Sequence, residues 1–316
     1  MTDHTDSTLC AGIDVSKAKL DVALWPGGEH RVFDYTAAGL RELSRFLAGR
    51  RVGRIGFEAS GGYELRLLEH LRAGAIPAAR LQPAQVKAFG RSRLQRAKND
   101  RLDAILIAAF TASLDRLPEL PSALSVGLAE HLTFIEQIED QLVVVQTCLA
   151  TTTSPRLRRL HEAEIRRLEA RRAAELERLA EAVRASEELS RRLGRLCSIK
   201  GIGLRTALAL VIRLPELGSL SREEVAALTG VAPYDRDSGK TSGKRSVQGG
   251  RARLRKSIFM AAFSATRWNP DISAFYNRLR AKGKHHLTAL VAAMRKLVIL
   301  ANAVVARNTD WQPTRP

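Results

Sequence analysis

The sequence has few cysteines, few aromatic residues and few acidic residues for its length. Its three cysteines, Cys10, Cys148 and Cys197, lie far apart and form no CxxC pair. An odd, scattered set argues against a disulfide framework and against a structural zinc site, because both need closely spaced pairs. The cysteine content therefore favours a reducing compartment, and we expect a cytoplasmic protein.

Aromatic residues make up only 5% of the 316 residues. We therefore interpret Tyr234, Phe259, Phe263 and Trp268 as core or loop anchors rather than as a surface on which nucleic-acid bases stack. Hydrophobic residues nonetheless amount to 45% of the chain. That content allows sizeable buried cores and excludes a chain that is disordered throughout.

Acidic residues are outnumbered by basic ones, 33 against 51, which leaves a formal net charge of +18. Such an excess favours association with a polyanion. Ribosomal proteins, nucleic-acid enzymes and membrane-surface proteins all share this property. The charge therefore predicts a class of partner but identifies no activity.

The sequence lacks a long apolar run that is free of charges. The most apolar late segment, residues 287–306, contains Arg295 and Lys296 near its middle. Those charges favour a packed helix over a membrane span. The first ten residues are polar and lack the apolar core of a secretion signal. We therefore expect a soluble intracellular protein with no membrane partner.

The first third of the chain alternates strand-like and helix-like segments. Apolar and alternating patterns predict strands at residues 9–15, 19–25, 31–35, 52–57 and 76–81. Apolar residues at helical spacing predict helices at residues 36–50, 63–72 and 100–114. Three strands, then helix, strand, helix and strand, is the order expected of a ribonuclease-H-like α/β domain.

The sequence pattern of the rest of the chain predicts helices. After Pro155, residues up to 196 contain almost no glycine or proline and favour a long helical hairpin or coiled coil, either a spacer or an oligomerisation element. Helices rich in Ala and Leu follow, broken by one loop rich in Gly, Ser and basic residues. We predict three parts: an α/β domain at residues 1–118, a helical linker at 119–195 and a helical domain at 196–316.

Four acidic residues lie where the predicted elements begin or end. Asp14 and Glu58 each end an apolar strand, and Asp100 and Asp103 open a helix on one face, three residues apart. Singly, such residues are usually turn, cap or helix-dipole residues. Together they are more informative, because active sites of α/β sheets gather at strand ends. Their hard oxygen ligands suit Mg²⁺ or Mn²⁺ rather than zinc.

Two segments of the last third favour nucleic-acid binding. Residues 196–207 fit a helix-hairpin-helix pattern in which Gly201 and Gly203 form the hairpin, although the same pattern occurs in ordinary packing turns. The loop that follows residue 233 contains Ser238 among basic side chains that can hold phosphates. These basic residues are Lys240, Lys244, Arg245, Arg251, Arg253 and Arg255. From the residues alone, a phosphate clamp is favoured for Ser238 over a nucleophile, because a serine needs a base or a metal ion to become nucleophilic and no histidine lies nearby in sequence.

The segments GIDVSKAKLDVAL, GFEASGGYE and KNDRLDA, in this order, resemble the RuvC-like DEDD domain of the insertion-sequence-110 family of transposases. That family also resembles the Piv-type DNA invertases. The resemblance implies that Asp14, Glu58, Asp100 and Asp103 bind the metal ions. It also implies that Ser238, which stands between Asp237 and Gly239, attacks a DNA phosphate and forms a covalent phosphoserine link. Ser242 precedes a second glycine and stays an alternative.

The resemblance further implies the partners of the reaction. A structured noncoding RNA from the element, the bridge RNA, would pair with target and donor DNA. The protein would act as a dimer or tetramer, in which Ser238 joins the acids of another subunit. It would be associated with the nucleoid in the cytoplasm.

Three other functions are compatible with parts of the sequence. A RuvC-like endonuclease or junction resolvase would use the same acids to activate water, and Ser238 would only bind phosphate. An actin-like ATPase or sugar kinase has a first strand similar to GIDVSK, but it needs a second, similar domain, and the sequence has no such repeat. A non-catalytic DNA-binding scaffold would need only the basic residues.

Overall fold

A computed structural model describes residues 9–74, 76–93, 99–234 and 246–313 of the protein. The chain forms two compact units, residues 1–123 and residues 124–316. The first is an α/β unit. The second is helical, apart from one short two-stranded sheet among its described residues. The predicted division into three parts, with boundaries after residues 118 and 195, stays a prediction.

The first unit contains five strands and four helices among its described residues. In chain order they are β1 (Cys10–Val15), β2 (Lys19–Trp25), β3 (His30–Asp34), α1 (Ala37–Gly49), β4 (Arg54–Glu58), α2 (Leu65–Arg72), β5 (Ala78–Leu81), α3 (Pro83–Ser92) and α4 (Asp100–Ala112). Every strand and helix that the sequence patterns predict in this unit is present, within a few residues at each end. Helix α3 was not predicted.

The five strands form one sheet in the order β3-β2-β1-β4-β5. The chain runs antiparallel from β1 to β2 to β3, whereas β1, β4 and β5 are parallel. Ile13 of β1 is in register with Phe57 of β4. Since Asp14 and Glu58 directly follow this pair, both acids lie at the same end of two adjacent parallel strands.

Helix α4 packs closely on β1 and β4 because glycines face it. A Cβ atom at Gly12 would overlap the backbone of Ala104 and Ala108, and one at Gly56 would overlap the side chain of Thr111. In a strand, alternate residues share a face, so Asp14 and Glu58 lie on the same sheet face as these glycines. The glycines therefore seat α4 on the face that carries the two acids.

The start of α4 is fixed by a side-chain cap. The Asn99 side chain accepts a hydrogen bond from the backbone N–H of Leu102, at 2.8 Å. This cap satisfies one of the free N–H groups of the first turn and starts the helix at Asp100. The first turn therefore contains Asp100 and Asp103, and the apolar residues that follow are buried against the sheet.

The second unit consists mainly of helices. They are α5 (Ala123–Thr151), α6 (Pro155–Arg184), α7 (Glu187–Cys197), α8 (Leu204–Arg213), α9 (Arg222–Leu228), α10 (Ala252–Trp268), α11 (Pro270–Ala281) and α12 (His286–Arg307). Between α9 and α10, the short strands β6 (Pro233–Tyr234) and β7 (Ser246–Val247) pair antiparallel. Residues from most of these helices form one large apolar core.

Helices α5 and α6 form the predicted long hairpin. Ile138 and Leu142 of α5 pack with Leu168 of α6 in a small cluster of their own. Nearer the start of α5 and the end of α6, Leu132 and Leu179 join the main core of the unit. One part of the hairpin is thus anchored in the core and the other extends from it. A coiled-coil packing of the two helices stays a prediction.

Helix α12 is long and apolar enough to cross a membrane by length and composition alone, with a mean hydropathy of 1.9 over its most apolar stretch. Half of that stretch is buried inside the unit. Leu290, Met294 and Leu297 lie in the main core. A core helix of a globular domain has the same composition, so α12 gives only weak support for a membrane span.

Candidate functional site

The four predicted acids lie at one end of the first unit. Asp14 is the second-last residue of β1, Glu58 is the last residue of β4, and Asp100 and Asp103 are in the first turn of α4. The strand register and the seating of α4 bring these three elements together at that end. We call Asp14, Glu58, Asp100 and Asp103 the acid cluster.

Repulsion within the acid cluster is visible at Asp14. Burial raises the pKa of the Asp14 carboxyl above its usual value, and the nearby carboxylates of Asp103, Asp100 and Asp21 raise it further. A hydrogen bond from the backbone of Val15 opposes these effects only in part. A bound cation would relieve this repulsion, as expected of a site that binds a metal ion.

Asp21 is a fifth acid beside the cluster, and it is not among the site residues predicted from the sequence. It lies in β2 directly opposite Asp14 of β1, and only 4% of its surface is exposed. One carboxylate oxygen is 3.0 Å from Nε2 of His30 and the other is 3.1 Å from Nζ of Lys19. The sequence does give one signal, because Asp21 lies between apolar residues in the middle of a predicted strand.

Lys19 connects Asp21 to the acid cluster. Its ammonium donates a hydrogen bond to Oδ2 of Asp100 at 2.7 Å. These contacts, first with Asp100 and then with Asp21, raise the pKa of Lys19 above its usual value. The side chain is therefore a cation at neutral pH and partly neutralises the cluster from the side of β2.

The acid cluster fits a divalent ion by the chemistry of its donors. Four carboxylates at one end of a sheet are hard oxygen ligands of the kind that Mg²⁺ and Mn²⁺ prefer. Within the described part of the chain, however, no three Asp, Glu, His or Cys side chains are arranged around one common point. The contact of Asp100 with Lys19 is one reason why the carboxylates do not converge, since it directs one carboxylate oxygen of Asp100 to the ammonium of Lys19.

Glu64 fixes the turn that follows Glu58. One of its carboxylate oxygens accepts hydrogen bonds from the backbone N–H groups of Ser60, at 3.0 Å, and Gly62, at 2.8 Å. The same oxygen also accepts from the Ser60 hydroxyl, and the residue is almost fully buried. Glu64 therefore holds the chain in place directly after a predicted metal ligand. Glu64 lies within the segment GFEASGGYE, but no local pattern in the sequence indicates this role.

The predicted helix-hairpin-helix consists of α7, a turn and α8. Gly201 has a φ of +101°, and a Cβ there would lie 2.5 Å from the Cβ of Ala265 in α10, so this glycine permits close packing. Gly203 precedes α8, and a Cβ there would meet nothing within 4 Å. The position beside Gly203 is therefore open and does not require glycine for packing. Phosphate binding by the hairpin stays a prediction.

Three of the predicted nucleic-acid-binding arginines have partners within the second unit. Arg251 makes a bidentate ion pair with Glu216, in which Nη1 donates to Oε2 at 3.0 Å and Nη2 donates to Oε1 at 2.7 Å. Arg253 pairs with Glu136 of α5, and Arg255 donates to the carbonyl oxygen of Gly249 at 2.8 Å. These contacts give each side chain a role in the fold. Their contact with nucleic acid stays a prediction.

Glu136 is the centre of an ion network that the sequence did not indicate. It is 7% exposed, and Arg213 donates to it at 2.7 Å while Arg205 lies 3.6 Å away. Burial lowers the pKa of Arg213, although Glu136 opposes that shift. Together with Arg253, these side chains link α5 to α8 and α10. The three arginines lie 69, 77 and 117 positions after Glu136 in sequence, so no local pattern indicates the network.

The remaining predicted site residues lie outside the described part of the chain. They are Ser238, the alternative Ser242, and the basic residues Lys240, Lys244 and Arg245. The two strands that flank them are described: Tyr234 of β6 is in register with Ser246 of β7. The chain on either side of this segment is therefore held together at its base.

The aromatic residues of the last third differ from expectation. Trp268 is 70% exposed at the end of α10, and Tyr234 and Phe259 are also exposed. Phe263 does pack against the main core, and Arg267 lies over its ring. A core position is therefore confirmed for Phe263, whereas Tyr234, Phe259 and Trp268 are not core residues and their role as loop anchors stays a prediction. Sparse aromatics in a basic chain give no periodic pattern that separates buried from exposed rings.

Two family models match the chain. Residues 11–160, which contain the acid cluster, match a model described as a transposase, of the IS110 DEDD type. Residues 193–277, which contain the hairpin and Ser238, match the transposase IS116/IS110/IS902 family. The two models together span most of the chain and correspond to two regions of one kind of protein.

The chain is also similar in sequence to several curated proteins. The chain is 26% identical to the pilin gene-inverting protein of Moraxella bovis, in an alignment that covers 95% of this chain and 96% of that protein. It is 29% identical over 123 residues to the insertion element IS110 uncharacterized 43.6 kDa protein of Streptomyces coelicolor, which is 38% of this chain and 30% of that protein. The insertion element IS900 uncharacterized 42 kDa protein of Mycobacterium paratuberculosis is 32% identical over 95 residues, 29% of this chain and 24% of that protein.

Proposed function

Because the chain belongs to the IS110 family of DNA transposases and recombinases, we propose that it cuts and rejoins DNA through a divalent metal site and a serine nucleophile. The metal site consists of Asp14, Glu58, Asp100 and Asp103, and the nucleophile is Ser238. The observation that carries the proposal is the meeting of three elements, β1, β4 and α4, with their acids at one end of the sheet. The raised pKa of Asp14 supports it.

The architecture of the first unit supports a ribonuclease-H-like assignment. Three antiparallel strands, β3, β2 and β1, continue into the parallel strands β4 and β5, and helices connect the parallel strands. We propose that this unit is a RuvC-like catalytic domain of that class. In such a sheet the ends of adjacent parallel strands are where ligands bind.

The acid cluster would hold Mg²⁺ or Mn²⁺. A bound ion would neutralise charge on the attacked phosphate and activate the attacking oxygen. The protein's own contribution is placement: Asn99 starts α4 at Asp100, Gly12 and Gly56 seat that helix, and Glu64 fixes the turn after Glu58. Each of these residues fixes the position of a strand end, a turn or a helix that carries one of the four acids.

Ser238 would attack the phosphorus of a DNA phosphodiester. A bond forms between its hydroxyl oxygen and phosphorus, and the bond between phosphorus and a deoxyribose oxygen breaks. The serine proton ends on the departing sugar oxygen, so the products are a phosphoserine ester and a free DNA hydroxyl. Since the ester conserves the energy of the phosphodiester, a DNA hydroxyl can reverse the step and rejoin a strand without ATP.

Basic residues around Ser238 would hold the DNA backbone. Lys240, Lys244 and Arg245 follow the serine closely in sequence, and phosphate contacts of this kind position a duplex without reading its sequence. We propose that sequence choice comes from base pairing with a bridge RNA, as in other RNA-guided systems. The acid cluster belongs to the first unit and Ser238 to the second, and we propose that they come from different subunits of an oligomer.

A covalent adduct assay tests this function. The protein is incubated with labelled element-end DNA, RNA transcribed from the flanking element and Mg²⁺, and is then run on an SDS gel. We expect an SDS-resistant adduct that Ser238→Ala and Asp14→Asn abolish and Ser242→Ala retains. A mixture of the Ser238→Ala and Asp14→Asn proteins should restore the adduct if the site is shared between subunits. An adduct in Ser238→Ala would contradict the assignment of the nucleophile.

A metal-dependent endonuclease or junction resolvase is the alternative outcome. It uses the same acid cluster, but water replaces the serine as nucleophile. Mg²⁺-dependent cleavage without any adduct, unaffected by Ser238→Ala, would favour it. DNA binding that no acid substitution impairs, without any cleavage, would favour a scaffold role.

A further inference from the structure

We propose that Lys19, held in position by Asp21, is a built-in cation that competes with a divalent ion for Asp100. This inference rests on the proposed metal site and adds two positioning residues to it. Lys19 and Asp21 lie within the segment GIDVSKAKLDVAL that carries the family resemblance, but the metal ligands that the resemblance implies are the four acids. The two further residues follow from contacts in the sheet, and we call Lys19 and Asp21 the latch pair.

Hydrogen bonds with Ser16 fix the backbone position of Lys19. Its carbonyl oxygen accepts hydrogen bonds from the Ser16 hydroxyl at 2.9 Å and from the Ser16 N–H at 3.1 Å. Its own N–H donates to the Ser16 hydroxyl at 3.2 Å. These bonds close the turn between β1 and β2. Lys19 therefore projects from a defined point one strand away from Asp14.

Asp21 is a persistent partner for the ammonium of Lys19. Its side chain is 6% exposed, and Nε2 of His30 lies 3.0 Å from its other oxygen and fixes its orientation. A buried carboxylate that lost its cation would be strongly destabilised. Asp21 therefore keeps Lys19 beside the acid cluster whatever the orientation of Asp100.

Asp100 is the exchangeable partner. Its side chain is 55% exposed and that of Lys19 is 43% exposed, so water screens their contact at 2.7 Å and its contribution is small. A divalent ion can displace a contact of this strength. When it does, Lys19 still has Asp21 as a partner, and Asp100 can turn to the ion. The latch pair thus stabilises the cluster without metal and gives way when metal binds.

Metal titration of the full-length protein without nucleic acid tests the latch pair. Isothermal titration calorimetry with MnCl₂ and with MgCl₂ gives the dissociation constants of the wild type and of Lys19→Met. Removal of the competing cation should tighten metal binding by about two- to fivefold, because the contribution of an exposed ion pair corresponds to at most about fivefold in a dissociation constant. The melting temperature of the metal-free variant should fall, and metal should raise it by more than in the wild type.

Two further variants separate the latch from general charge effects. Lys17 is exposed and lies two residues before Lys19. Lys17→Met removes the same charge, and the dissociation constant for metal should stay within about twofold of the wild type, because water screens the charge of an exposed side chain. Lys19→Arg keeps the cation and should also stay close to the wild type. Equal or weaker metal binding by Lys19→Met would overturn the latch alone. No metal binding by any of these proteins would overturn the metal site as well.

Discussion

At the scale of single residues, Gly12 determines how closely α4 approaches the sheet. A methyl group there would overlap the carbonyl oxygen of Ala104 and the backbone of Ala108, and a helix backbone cannot yield as a side-chain end can. We therefore expect Gly12→Ala to lower the free energy of unfolding by about 2 kcal/mol or more. Chemical denaturation followed by circular dichroism measures the change.

Gly49→Ala is the matched control for this substitution. Gly49 is the last residue of α1, and a Cβ there would meet nothing within 4 Å. Alanine favours the helix over glycine by up to about 1 kcal/mol, so the variant should be as stable as the wild type or slightly more stable. Equal stability of the Gly12→Ala and wild-type proteins would show that α4 can shift to accept the methyl group.

The acids that could be predicted from the sequence differ from the site residues that could not be predicted in how their positions are determined. Asp14 and Glu58 end apolar strands, so their position follows from local pattern. Asp21 and Lys19 matter only because β2 pairs with β1 in one particular register, and a register involves two strands at once. Glu64 acts by accepting hydrogen bonds from the backbone of the loop that precedes it. Contacts that depend on tertiary geometry leave no periodic signal in the chain.

At the scale of helices and strands, amphipathic pattern accounts for most of the first unit. Helices α1, α2 and α4 each bury an apolar face, and the central strands β1 and β2 are apolar runs that are buried on both faces. Helix α3 was missed because it buries only Val86 and Gly90, which is too little for an apolar stripe. Proline as its first residue is typical of a helix start, but without such a stripe proline equally indicates a turn.

The hairpin of α5 and α6 carries a contact that depends on pH. Oε2 of Glu175 in α6 is 2.9 Å from Nε2 of His131 in α5, and this contact lowers the pKa of Glu175 below its usual value. A lowered folded-state pKa gives stability that is present above the unfolded-state pKa and is lost as pH falls through the folded-state pKa. We therefore expect Glu175→Gln to lower the melting temperature at pH 7 and to have progressively less effect as the pH falls below the usual pKa of a glutamate carboxyl.

A matched charge change on the same helix controls for the overall loss of an acid. Glu169 is exposed in α6, so Glu169→Gln removes the same charge without a contact to α5. Its melting temperature should follow that of the wild type at every pH between 3 and 7. A Glu175→Gln defect that persists unchanged at acidic pH would show that packing, and not the ionised carboxylate, stabilises the hairpin.

At the scale of the whole molecule, the two parts of the proposed chemistry belong to different units. The acid cluster is in residues 1–123, and the segment with Ser238 is in residues 124–316. Composition suggested more than one domain but could not show which helices pack together. The α5–α6 hairpin illustrates this, because it shares the core of the helical unit, a fact that depends on residues far apart in sequence.

The connection between the two units should be the first point of proteolysis by a glutamate-specific protease. Residues 113–122 lie outside helices and strands, and the side chain of Glu119 there is 90% exposed. Most other glutamates are in helices, which resist cleavage because a protease must bind an extended chain. Glu29 is also exposed, but Arg50 holds it with two hydrogen bonds.

We therefore expect a first cut after Glu119, which mass spectrometry identifies through fragments 1–119 and 120–316. Both fragments should keep their helical circular dichroism, because each unit has its own apolar core. Glu119→Gln should delay this cut and leave the spectrum of the intact protein unchanged. A first cut within α5 or α6 would contradict the prediction, because it would show that the hairpin opens more readily than the connection. Loss of helical signal after the cut at Glu119 would mean that the units depend on each other for stability. In that case a substitution in one unit would alter unfolding of the other, and the acid cluster and Ser238 would have to be analysed as parts of one cooperative structure.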